Sequence, residues 1–120
     1  MKAIVWTGVD DLALHDEPQP TPGEGEVLIK VSHVGICGSD LHIWHGEHPR
    51  ATPPLIMGHE FSGTVIDLGP GVDDAVAGDK VVVFPVLGCR TCNVCHTQGE
   101  HVCPNLGLYG IDWPGAMAEY

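Results

Sequence analysis

The chain has 120 residues, enough for one domain with a modest core, and sets 16 acidic against 5 basic side chains for a formal charge of −11. That balance excludes nucleic-acid binding, because neutralising phosphates needs clustered lysine and arginine. The acids (Asp10, Asp11, Asp16, Glu17, Glu24, Glu26, Asp73, Asp74 and Asp79 among them) form no long run and read as a solvated, at most salt-adapted, surface.

In chain order, Met1–Trp6 and Leu12–His15 predict a first pair of short strands about the turn Gly8–Asp11. Pro18, Pro20 and Pro22 exclude helix or central strand from the next segment, since proline lacks the ladder donor. Val27–Val34 alternates with period two, placing Val27, Ile29 and Val31 on one face and Lys30 and Ser32 on the other. A short helix is expected near Ser39, with Ser39 or Asp40 as its N-cap. Phe61–Leu68 is a further strand, ended by Gly69-Pro70-Gly71, and Gly78-Asp79 turns the chain into the strand Lys80–Phe84. Helical turns are expected among the cysteines, and Ala116–Tyr120 begins one more strand. Sixteen glycines and ten prolines between short strands predict a mostly-β barrel or sandwich, not a βαβ array. No Gly-x-Gly-x-x-Gly dinucleotide fingerprint opens a helix.

No apolar stretch approaches the ~20 residues of a membrane span. The apolar patch at the N-terminus is too short for a secretory signal and runs into acids. A cytoplasmic, reducing location with no membrane partner is therefore expected, where closely spaced cysteines favour metal over disulfides.

Cys89, Cys92, Cys95 and Cys103 follow C-x2-C-x2-C-x7-C. Four thiolates at that pitch close around one tetrahedral Zn²⁺ and leave no position for water or substrate, so the site is structural; redox pairs are the competing reading. Cys37 stands apart in Gly35-Ile-Cys37-Gly-Ser39-Asp40-Leu-His42, upstream of Gly58-His59-Glu60. Cys37, His59 and Glu60 offer thiolate, imidazole and carboxylate to a second zinc that keeps an open position, as catalysis on an alcohol or carbonyl oxygen requires. Asp40 is placed to hydrogen-bond the far ring nitrogen of His59 and fix its tautomer. Ser39 and His42 are candidates to pass a proton to solvent, because histidine titrates near neutrality. His45 and His48 with Glu47 make either a second metal cluster or an exposed histidine-rich loop, and the loop is the simpler reading. His15, His33, His96 and His101 read as structural or surface residues, and Trp44 either lines a pocket or anchors its loop to the core.

Together with Gly78-Asp79-Lys80-Val81, these motifs occur in an order that resembles the zinc-containing medium-chain alcohol dehydrogenases over Met1–Tyr120. The resemblance implies a GroES-like, partly open β-barrel with a small zinc-binding lobe. It implies that residues 1–120 are the incomplete catalytic domain of an alcohol dehydrogenase whose nucleotide-binding domain is absent. It further implies Cys37 and His59 as catalytic-zinc ligands, and Glu60 as a third ligand or one exchanging with water. Ser39 and His42 correspond to the proton relay, Asp40 to the histidine's partner, and Cys89, Cys92, Cys95 and Cys103 to the structural-zinc ligands.

Cys37–Trp44, His101–Asn105 and Gly110–Tyr120 are similar to the threonine and polyol dehydrogenase branch, as is Gly38 where many alcohol-specific members carry a basic residue. The segment from His45 to Pro53 is shorter than in typical threonine dehydrogenases. The implied parent enzyme uses NAD or NADP, bound by the missing domain, to oxidise a small secondary alcohol, polyol or L-threonine-like substrate, and works as a homo-oligomer. The alternative is a zinc-binding module without catalysis of its own.

Overall fold

The computed structural model describes residues 1–120. Its elements in chain order are strands β1 (Lys2–Gly8), β2 (Asp11–Asp16) and β3 (Val27–Gly35), helix α1 (Gly38–Trp44), and strands β4 (Leu55–Ile56), β5 (Glu60–Leu68), β6 (Lys80–Val83) and β7 (Val86–Leu87). Helix α2 (Asn93–Thr97), a 3-10 turn at Glu100–Val102 and strand β8 (Gly107–Leu108) follow. The strands form three antiparallel sheets, ordered β2-β1-β4, β3-β5-β6 and β7-β8, and none closes on itself. The expected mostly-β architecture holds, in its open form.

The core gathers where α1 packs on the first sheet. Trp6 of β1, Ile43 of α1, Leu55 of β4, Met57, Ala51 and Ile111 are all buried and in contact, with Trp44, Leu108 and Met117 against them. Trp44 anchors its loop: its carbonyl accepts the indole N–H of Trp6 at 3.2 Å and the amide of Asp10 at 2.8 Å.

Three expectations change. In β3 the most buried residue is Leu28, while Val27, Ile29 and Val31 are half-buried. Ile29, Lys30, Val31 and Ser32 keep the expected alternation, but the register against β5 shifts twice, at Ile66 of β5 and at Ser32 of β3, and the pattern is lost beyond Ser32. The N-cap of α1 is Cys37; Asp40 sits one turn in, its carboxylate accepting the Cys37 amide at 2.9 Å. The segment Ala116–Tyr120 forms no strand: one bridge joins Ala118 to Ala3, with single bonds from its neighbours to β1 and β3.

Candidate metal centres

The cysteine lobe stands on the β7–β8 stem. The turn leaving Cys89 places Arg90 at φ 58°, a left-handed conformation that reverses the chain and brings Cys92 back. Arg90 Nε and the Gly88 amide both donate to the Glu100 carboxylate, at 3.0 and 3.2 Å, tying the turn to the far side of the lobe. Cys92 then caps α2, its sulfur accepting the Cys95 amide at 3.4 Å.

The four sulfurs converge within 4.8 Å of one another. Separations are 3.5 Å for Cys92–Cys95, 3.6 Å for Cys89–Cys103, and 3.9 Å for both Cys89–Cys95 and Cys92–Cys103. Four sulfurs held roughly 2.3 Å from one ion stand about 3.8 Å apart along each tetrahedral edge. A redox pair needs only two neighbouring sulfurs, whereas here all four converge with edges near the tetrahedral value, which favours a metal site. Amides of Cys89 and Asn105 donate to Cys103 Sγ at 3.4 and 3.3 Å, the donor pattern that steadies thiolates.

The acidities express the same crowding. Hydrogen bonds from the Thr91 hydroxyl, then from the Thr91 and Cys92 amides, lower Cys89 to about 5. Desolvation, then the neighbouring sulfurs of Cys103 and Cys92, push Cys95 up to about 12. One sulfur is poised as a thiolate while a second resists charging beside it, and a divalent cation among them removes that conflict.

The second centre is assembled from separated segments. Cys37 lies at the start of α1, and His59 and Glu60 lie where the chain leaves Met57-Gly58 to enter β5. Their ligand atoms lie within 4.8 Å of one another. His59 is buried while Glu60 is exposed. Glu60 pairs with Gly35 across β3 and β5, where a Cβ on Gly35 would come 3.0 Å from its carboxylate. Glycine there leaves the carboxylate room to move.

Asp40, only 1% exposed, faces His59 Nδ1 at 3.6 Å. That distance is too long for a hydrogen bond, and both atoms are buried without another partner. An approach of about 0.6 Å gives a normal contact and the tautomer with its proton on Nδ1. Nε2, beside Ser39 Oγ at 3.2 Å, then keeps the lone pair that a metal needs. The donor set and the orphaned pair both fit zinc, as does the four-sulfur tetrahedron.

His42 is exposed and bonds Glu47 at 2.9 Å; no hydrogen bond joins it to Ser39. His45 bonds Asp10 at 2.6 Å, and His48 accepts the amides of Arg50 and Ala51, so this loop spends its histidines on local contacts. His33, read from the sequence as a structural or surface residue, is exposed and also lines an open cleft of about 540 Å³ with His59, Glu60, Ser62, Val82 and Pro85. Its strand parity with Gly35 was the available signal. The glycines behind His59, described below, gave none.

Residues 23–120 match the family model described as the alcohol dehydrogenase GroES-like domain. The chain is 41% identical over 120 residues to the starvation-sensing protein RspB of Escherichia coli, covering 100% of this chain and 35% of that protein. It is 46% identical over 104 residues to the L-threonine 3-dehydrogenase of Pyrococcus horikoshii, covering 84% and 30%. A crystal structure of a zinc-binding dehydrogenase from Sinorhizobium meliloti bound to NADP superposes with a TM-score of 0.90 at 38% identity, over 99% of this chain and 34% of that one. The chain thus spans about a third of the length of the curated relatives it matches.

Proposed function

Because the chain belongs to the zinc-containing medium-chain alcohol dehydrogenases, through their GroES-like domain, we propose that it is the zinc-carrying catalytic domain of an NAD(P)-linked dehydrogenase. The substrate class is a secondary alcohol, a polyol or an L-threonine-like β-hydroxy amino acid. The observation that carries this reading is the convergence of Cys37, His59 and Glu60 beside a separate four-sulfur site.

Cys37, His59 and Glu60 would hold the catalytic ion, and Cys89, Cys92, Cys95 and Cys103 the structural one. Zinc bound at the open site supplies a Lewis acid for the substrate oxygen. Asp40 orients His59 through Nδ1 and leaves Nε2 free to ligate. Ser39, with its hydroxyl next to His59, would take up the substrate's hydroxyl proton while releasing its own to water. His42, one turn further along α1 and open to water, would exchange a proton with solvent, and because no hydrogen bond joins it to Ser39 that step would run through water. NAD or NADP, when bound, would supply the hydride acceptor; two structural relatives hold NADP and NADH.

The reading places the protein in the cytoplasm, a reducing compartment where closely spaced cysteines such as these four serve a metal rather than disulfides. A homo-oligomer is the assembly that this reading gives the whole protein. The 120 residues expose 7204 Å², against about 6,300 Å² for a compact monomer of their mass, and Val82 and Phe84 are 84% and 70% exposed, area that either the rest of a longer protein or a second copy would cover. For the 120 residues taken alone a second reading, a zinc-binding module, is favoured by the sulfur lobe, which needs nothing outside this chain.

The test is His59→Ala in the intact protein with NAD⁺ or NADP⁺ and a panel of alcohols, polyols and L-threonine. Turnover abolished with the four-sulfur zinc retained supports the assignment; undiminished turnover refutes it.

A further inference from the structure

The segment Gly110–Tyr120 contributes no metal ligand, yet it is built against Gly58, the residue before His59. Its amides run up the ligand-bearing loop in three successive bonds. Gly115 donates to the Ile56 carbonyl at 2.7 Å, Met117 to Met57 at 2.9 Å, and Ala116 to Gly58 at 2.9 Å.

This ladder requires the absence of side chains on both sides. Gly58 has φ +90°, a left-handed conformation, and a Cβ there would meet Met117 Cγ and Val34 Cγ2, each at 2.9 Å. A Cβ on Gly110, itself at φ +75°, would come 2.6 Å from the Gly58 oxygen. A Cβ on Gly115 would overlap the same oxygen. Both neighbours are backbone atoms with no rotamer to yield, so either substitution must move the Gly58 peptide. The next residue is His59, whose imidazole nitrogen and Cys37 Sγ must each fall within a few tenths of an ångström of ligand distance from one ion.

We infer that Gly58, Gly110 and Gly115 form a backbone clasp that positions His59, so that metal affinity at the open site is set from a segment that touches no metal. The inference rests on the proposed zinc at Cys37, His59 and Glu60. These are positioning residues, and their signature is selectivity. Loosening the clasp should weaken the open site while sparing the four-sulfur lobe, whose stem and ligands lie outside residues 56–58 and 115–117.

The experiment strips the protein of metal and refills it with Co²⁺, reading thiolate-to-cobalt bands and bound cobalt per chain. The unmodified protein is expected to take two equivalents, the tighter with the strong absorption of four thiolates and the weaker with that of one. Gly115→Ala should leave the first unchanged and weaken the second by about 10- to 100-fold, the range for lost outer-shell support. If Gly115→Ala does not fold, Met117→Ala replaces it. It removes the Cγ against Gly58, adds no atom, and should show the same selective loss to a smaller degree. Equal affinity at the second site in the unmodified protein and a folded variant overturns the clasp. A single equivalent in the unmodified protein withdraws the open-site metal reading, and the clasp with it.

Discussion

Zinc entry to the sulfur lobe should release between one and three protons per ion near pH 7, and the number is fixed by two of the four thiols. Cys89, lowered to about 5 chiefly by the Thr91 hydroxyl, is already a thiolate at neutral pH and gives up nothing. Cys95, pushed up to about 12 by desolvation and by the sulfurs around it, is a thiol in the metal-free chain and must lose its proton to ligate. The sign follows: the metal-free pKa of Cys95 lies above the working range, so affinity rises with pH across it. Cys95 alone contributes about tenfold per pH unit, hence about a hundredfold from pH 6 to 8. Cys89 adds to the slope only as pH falls towards 5. Proton release can be counted by calorimetry in buffers of differing ionisation enthalpy, with chelator competition at several pH values giving the slope. Four protons per zinc at pH 7 would refute the pre-formed Cys89 thiolate; none, with pH-independent affinity, would refute thiolate ligation by Cys95.

Ile43→Ala removes a completely buried side chain from the contact of α1 with Trp6, Leu55 and Met57, and should destabilise the fold by about 2–5 kcal/mol. Urea denaturation at fixed zinc measures it, and a loss below about 1 kcal/mol would mean that this cluster is not the core. The charge of −11 predicts that the urea midpoint rises between 0.1 and 1 M NaCl, as the Debye length contracts from about 10 to about 3 Å and self-repulsion is screened. A midpoint that stays flat or falls would show that the acids are locally compensated.

What the sequence carried was whatever repeats with a period or sits at a fixed spacing. β5 and β6 were expected from their apolar runs and terminal glycines, and the β1–β2 pair from the turn between them. β4, β7 and β8 are two residues each, too short for any period to appear; β4 pairs with the free edge of β1, while β7 and β8 pair only with each other. The N-cap of α1 was misassigned for a different reason. Serine and aspartate are the usual caps, but here the carboxylate of Asp40 reaches back to Cys37 and shifts the helix start two residues earlier than Ser39.

The two metal centres divide along the same line. The sulfur site is local: all four ligands fall in one short segment, so spacing alone suggests a closed tetrahedron, which the measured sulfur edges fit. The open site is not local. Nothing in Gly35–His42 or Gly58–Glu60 reveals how far apart the two segments fold, or that His59 depends on glycines near residue 115. A ligand set that must leave a coordination position free cannot be held rigid by its own metal. It has to be fixed from outside, by Asp40 on one side and by the backbone ladder on the other. The residues that make such a site reactive are therefore more widely scattered than those that make a site closed.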